Sequence, residues 1–267
     1  MRYTYIIAEG GVAHEGSYTN ALSLLNIASG AGADAFKLQW GAKGMMGANR
    51  ELPFLKVDQM YAISQETSRR GLDFICTPHD QWALEKLELM NMCKAYKVGS
   101  GDWDMIEAVL DTGKRVYIST GMHTRKEIEE MVCTYDKFNT VFMHCVSEYP
   151  TKPENAQLEM LAHMTEMTSR PIGYSDHTDG IAIPLAAVAY MDGDLSCLEK
   201  HITLERYLDG KPDTFCASNY EEFSRLTSSI RDIKDALAPV GDRDLTKMER
   251  YTAAWVQKRL DHGQQQK

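Results

Sequence analysis

Ile172-Gly173-Tyr174-Ser175-Asp176-His177, an apolar helix-like stretch over 181–191, then Cys197-Leu198-Glu199-Lys200-His201: this run reads strand, helix, strand. Period-2 alternation puts Gly173, Ser175 and His177 on one face of the first strand. It does the same for Glu199, His201 and Thr203 on the second. Two short β-rich segments joined by a helix predict a parallel β/α/β unit. Histidines at the ends of two such strands would converge, and two imidazoles form a minimal site for a divalent metal.

The same alternation extends over most of the chain. Strand-like segments recur at Tyr5–Glu9, Ala35–Trp40, Asp73–Thr77, Ala95–Gly99, Arg115–Thr120, Thr140–Val146, Ile172–Ser175 and Cys197–His201. Helical patterns fall near 18–31, 57–70, 80–91, 103–112, 124–136, 155–168, 181–191 and 220–237. Within 18–31, Leu22, Leu25, Ile27 and Ala28 give one apolar face. Strict β/α alternation predicts an α/β fold, a single-domain (β/α)8 TIM barrel over residues 1–240. An open doubly wound sheet is the alternative, but no G-x-G-x-x-G follows the first strand, which weakens its dinucleotide-binding version. Residues 241–267 read as a C-terminal extension, partly helical, whose polar end Asp261–Lys267 is expected to fray.

Composition narrows the function. A net charge of -9 over 267 residues gives no basic field for nucleic acid or an anionic membrane. No apolar run reaches the ~18 residues of a spanning helix, and Met1-Arg2-Tyr3-Thr4 leads directly into a strand rather than a signal peptide. The 6 cysteines include no C-x-x-C pair. Cys76, Cys145 and Cys197 sit in apolar runs, as buried thiols of a cytoplasmic protein would.

In a barrel of this kind, chemistry gathers at the C-terminal ends of the strands. Lys37 and Lys97 stand on inward faces there. Two buried lysines repel unless an anion lies between them. Ser100, Ser119 and Ser175, beside glycines that admit close backbone approach, could complete a phosphate cradle. The plainer alternative pairs each lysine with a nearby Asp or Glu.

Taken in series, these segments resemble the sialic acid synthase family, whose members condense phosphoenolpyruvate with an N-acetylated aldose. The matching pieces are Ile7-Ala8-Glu9-Gly10-Gly11 with His14 and Gly16, then Gly32 to Gln39, and Thr77-Pro78. They continue with Tyr96 to Asp102, Ser119-Thr120-Gly121-Met122 and His144 to Pro150, and end with Gly173 to Thr178 and Glu199-Lys200-His201. The likeness runs from about residue 4 to about 237.

The resemblance implies a role for each residue. His177 and His201 would ligate a divalent metal, and two imidazoles favour Mn²⁺ over Mg²⁺. Lys37, Thr77, Lys97, Ser100, Ser119 and Ser175 match phosphoenolpyruvate-binding positions, and Glu9 an essential carboxylate. Gln39, Asp102, Tyr149 and Asp213 match positions facing the sugar, although Asp213 sits in Gly210-Lys211-Pro212-Asp213, where a turn is the simple reading. His79 stands where the family commonly has an apolar residue, so a pocket-edge position and a purely structural one are both open.

Family members usually carry a small antifreeze-like C-terminal domain that reaches into the partner's site. This chain ends where that domain would begin, so a homodimer or a separate partner is expected to supply the missing lid. Gly10 and Ala13 also depart from the usual first motif. The expected reaction joins phosphoenolpyruvate to N-acetylmannosamine or a related amino sugar, giving a nonulosonic acid and phosphate. The alternatives are a related phosphoenolpyruvate or pyruvate barrel synthase or aldolase with another aldehyde, and a catalytically silent barrel acting as a binding subunit.

Overall fold

The first strand, β1 (Tyr5–Gly11), shows how the fold is built. Ile6 and Ala8 point outward to the helices, while Ile7 points into the barrel and Glu9 follows it on the same face. A computed structural model of the chain describes residues 3–41, 45–47, 50–52, 54–206, 213–238 and 244–264. After β1 come α1 (Tyr18–Gly30), β2 (Ala35–Trp40), a hairpin of β3 (Met45–Gly47) and β4 (Arg50–Leu52), and α2 (Val57–Arg69). Next are β5 (Asp73–Pro78), α3 (Gln81–Leu89), β6 (Ala95–Val98), α4 (Ile106–Leu110), β7 (Arg115–Ser119) and α5 (Arg125–Tyr135). The series closes with β8 (Thr140–Cys145), α6 (Glu159–Met167), β9 (Ile172–Asp176), α7 (Ala182–Tyr190), β10 (Cys197–His201), α8 (Tyr220–Ala236) and α9 (Lys247–Gln264).

β1, β2 and β5 to β10 form a closed, all-parallel barrel in the order β1-β10-β9-β8-β7-β6-β5-β2. The expected (β/α)8 barrel is therefore the fold. The β3–β4 hairpin, antiparallel with Met46 opposite Glu51, was not anticipated. Its segments are too short to carry a periodic signal.

The barrel has two apolar layers. Between strands and helices lie Phe36, Leu38, Phe74, Tyr96, Val116, Ile118, Phe142 and Leu198, packed against Leu24, Leu25, Met60, Ile63, Val109 and Phe223. Inside the barrel, Ile7, Ala35, Ile75, Ala95, Tyr117, Val141, Met143 and Cys197 close the interior. Space there is short at Gly173: a Cβ would lie 2.3 Å from Cys197 Sγ and 3.2 Å from the Cys197 carbonyl.

Helix starts are fixed locally. Ser17 Oγ accepts from Asn20 N at the start of α1, and Asp80 Oδ1 accepts from Ala83 N at 2.8 Å at the start of α3. Thr124 and Glu127 form a capping box on α5. Lys200 and Asp176 make a fully buried ion pair, completed by the Thr178 carbonyl.

The chain divides into compact units at 1–236 and 237–267. In the second, α9 is capped reciprocally: Thr246 Oγ1 accepts from Glu249 N at 3.2 Å and Glu249 Oε2 from Thr246 N at 2.8 Å. The expected boundary at 240/241, the loop residues Gly210 to Pro212 and the last residues of the expected frayed end, 265–267, lie outside the described residues. Among the described residues no helix is long and apolar enough to cross a membrane.

Candidate active site

The interior face of every barrel strand but β8 continues, two residues on, into a polar group at the C-terminal mouth. Ile7 leads to Glu9, Ala35 to Lys37 and then Gln39, Ile75 to Thr77, Ala95 to Lys97, and Tyr117 to Ser119. Gly173 leads to Ser175 and His177, and Cys197 to Glu199 and His201. Strand register sets them side by side: Glu9 pairs with His201 on one side and Lys37 on the other, and Glu199 pairs with Ser175.

These side chains line a cavity of about 360 Å³. Every residue expected at the site lies on its wall except Asp213, which stands behind His201 with Oδ2 3.6 Å from Nδ1. Asp213 also serves its turn, its carbonyl accepting from Cys216 N and Ala217 N. His79 lines the cavity too. A larger cavity of about 680 Å³ lies at the strand starts, lined by Tyr5, Arg115, Tyr117, Ile172 and Cys197, away from the converging groups.

The floor of the site is a buried charge network. Lys97 Nζ donates to Glu199 Oε1 at 2.9 Å, and Lys37 Nζ lies 3.6 Å from Glu199 Oε2 and 2.9 Å from Glu9 Oε2. Ser175 Oγ donates to Glu199 Oε1 at 3.0 Å, and Lys37 Nζ donates to Thr77 Oγ1 at 3.3 Å. Both lysines thus pair with carboxylates, as the plainer alternative had it. Glu199 was legible as an inward-facing neighbour of His201, but the sequence carried no sign that it would bridge both lysines.

Burial works against charge on Glu199, yet Lys37 and Lys97 outweigh it and hold the carboxyl well below the usual range. Glu9 moves the other way: burial, and next the Glu199 charge, raise it against the pull of Lys37. One carboxyl of the pair is therefore firmly ionised and the other is disposed to carry a proton. Lys37 is raised, the two carboxylates overcoming the effect of burial.

His177 and His201 stand with ring centroids 5.3 Å apart, and the Tyr149 ring lies 4.1 Å from that of His177. His177 Nδ1 lies 2.8 Å from the Val146 carbonyl, which can only accept, so Nδ1 carries the hydrogen and Nε2 is left for a ligand. Burial, with the charges of His177 and Lys37, pushes His201 down to about 4, leaving it neutral near pH 7. Burial also disfavours charge on His177, but Cys145, 3.7 Å away, and the Val146 carbonyl outweigh it and push the ring up to about 9. No cluster of three or more His, Cys, Asp or Glu among the described residues could hold a metal by itself. The donor set is two imidazoles, which fits a divalent cation that takes its other ligands from water and substrate.

Ser100 and Ser147 meet at Gly121, where a Cβ would lie 2.5 Å and 2.4 Å from their hydroxyl oxygens. That close approach brings two hydroxyls to the wall beside Ser119. His144, by contrast, is a buried core residue, its Nε2 2.8 Å from the Ala156 carbonyl and its ring stacked on Tyr174.

A model of the NeuB family matches residues 28–241 of the chain. The chain is 34% identical to an uncharacterized protein of Methanocaldococcus jannaschii, over 88% of this chain and 72% of that protein. It is 30% identical to the N,N'-diacetyllegionaminic acid synthase of Campylobacter jejuni, over 97% of this chain and 85% of that enzyme. In structure it is similar to the N-acetylneuraminic acid synthetase of Leptospira borgpetersenii serovar Hardjo-bovis in complex with citrate. That match has a TM-score of 0.80 and 28% identity, covering 95% of this chain and 91% of that one.

Proposed function

The chain belongs to the NeuB family, and on that premise we propose that it condenses phosphoenolpyruvate with an N-acetylated amino-sugar aldose, giving a nonulosonic acid and phosphate. The observation that carries this reading is one cavity holding two buried lysines, a buried carboxyl pair and two neighbouring histidines. A phosphorylated enol acid needs the first, proton transfer at its C2 the second, and activation of an aldehyde the third.

His177 and His201 would hold the cation, Mn²⁺ in preference to Mg²⁺, which supplies Lewis-acid polarisation of the aldehyde oxygen. Lys37 and Lys97 bind the phosphoenolpyruvate charges and stabilise the phosphate as it leaves. Ser100, Ser119, Ser175 and Thr77 hold its oxygens by hydrogen bonds. C3 of the enol then attacks the aldehyde carbon, and C2 becomes electron-poor. Water adds at C2, and its proton passes through Glu9, once ionised, to the oxygen of the former aldehyde; the C2 hydroxyl proton then leaves with the phosphate as the C–O bond breaks and the ketone forms. Glu199 keeps both ammonium groups aligned and yields them to the substrate. Gln39, Asp102 and Tyr149 contact the acceptor, while Asp213 stands beside His201.

Phosphate release from phosphoenolpyruvate against a panel of aldoses, with and without Mn²⁺, tests this. Release that depends on both the metal and an N-acetylated amino sugar is expected. Trapping of a keto acid on a lysine by borohydride would instead indicate a Schiff-base aldolase.

A further inference from the structure

Gln39, His79 and Asp102 form a polar chain at the pocket edge that continues inward to Glu9. Gln39 Nε2 donates to Glu9 Oε1 at 2.9 Å, which fixes the amide with its carbonyl turned away from Glu9. That carbonyl meets His79 Nε2 at 3.3 Å. A carbonyl only accepts, so His79 Nε2 carries the hydrogen. The other ring nitrogen, Nδ1, lies 3.4 Å from Asp102 Oδ2. The ring is stacked on Phe54 with centroids 6.2 Å apart. His79 is 21% exposed and Asp102 31%, so the chain lies at the rim rather than in the floor.

The geometry points to His79 as a positioning residue for the acceptor, ordering the Gln39 amide beside Asp102 and, through Gln39, bracing Glu9. Each of the two outer members has a polar function left for a ligand: the second N–H of Gln39 and the second oxygen of Asp102. A donor beside an acceptor suits sugar hydroxyls, which give and take hydrogen bonds together. His79 meets the Gln39 carbonyl on the rim and so adds a second hold to the one Glu9 has on the amide nitrogen. The identity of the occupant as an aldose rests on the proposed condensation; the ordering of Gln39 by His79 does not.

The test uses the full chain with Mn²⁺, phosphoenolpyruvate and N-acetylmannosamine. His79→Phe keeps the ring against Phe54 and removes both nitrogens. The acceptor KM should rise about tenfold, the scale of one lost hydrogen bond, with the phosphoenolpyruvate KM changed less than about twofold on the same principle. His79→Gln, which can still donate to Gln39, should recover part of the loss. An unchanged acceptor KM, or equal rises in both KM values, would overturn the role. A second readout needs no turnover: the side-chain amide resonances of Gln39 should move in His79→Phe relative to wild type. Unmoved resonances would overturn the inference whatever the chain catalyses. Wild-type protein inactive on every aldose would refute the condensation instead, leaving the amide signal to decide the role of His79.

Discussion

Glu199 Oε1 lies 2.9 Å from Lys97 Nζ, and both side chains are buried. Glu199 also faces Lys37, so one carboxylate restrains two ammonium groups that the reaction needs close together. Glu199→Gln should therefore destabilise the free chain by about 3–5 kcal/mol, the range for breaking a buried ion pair. Phosphoenolpyruvate should restore more stability to this variant than to wild type, because its charge replaces the lost one. Urea denaturation with and without phosphoenolpyruvate checks both; equal stability of variant and wild type would contradict the bridge.

Lys97→Ala should weaken phosphoenolpyruvate binding by at least about 1.5–3 kcal/mol, the scale of a charged hydrogen bond. Lys37→Ala should do the same. Calorimetric titration measures this, and wild-type affinity in both variants would put the phosphate elsewhere.

His177→Ala and His201→Ala should each reduce Mn²⁺ affinity by ten-fold or more, roughly the loss expected when a metal site's ligands are perturbed. Because His177 is held charged up to about 9, binding at pH 7 should release a proton, and affinity should rise with pH toward that value. Calorimetry in buffers of different ionisation enthalpy reads the proton. Undiminished binding in both variants would remove the site.

The strand-end pattern made most of this legible. Period 2 from Ala35, Ala95, Gly173 and Cys197 leads directly to Lys37, Lys97, Ser175 and Glu199, so the cavity wall could be read without coordinates. Partnership could not be read. Whether Lys97 meets a substrate anion or Glu199 depends on barrel closure, which brings together residues far apart in sequence. The β3–β4 hairpin and the His79 bridge escaped for similar reasons, one being too short for periodicity and the other depending on rotamers across a strand end and two loops.

Acid sensitivity should follow from buried histidines. His14 is buried and pushed down to about 4, chiefly by burial. Its unfolded value is ~6.5, so it contributes stability above that pH which is lost as pH falls toward about 4. The loss is on the order of 3 kcal/mol. His144 shifts in the same direction. Urea midpoints of the metal-free chain should fall through this window, and His14→Gln should flatten the fall. A flat wild-type profile from pH 7 to 4 would contradict the burial argument.

The most direct measurement follows the carbon. Purified chain, Mn²⁺, an N-acetylated amino-sugar aldose and phosphoenolpyruvate labelled with ¹³C at C3 should give a nonulosonic acid carrying the label, with one phosphate released per product. Label in pyruvate alone, or phosphoenolpyruvate left intact with every aldose tried, would contradict condensation at the Lys37, Lys97, His177 and His201 site.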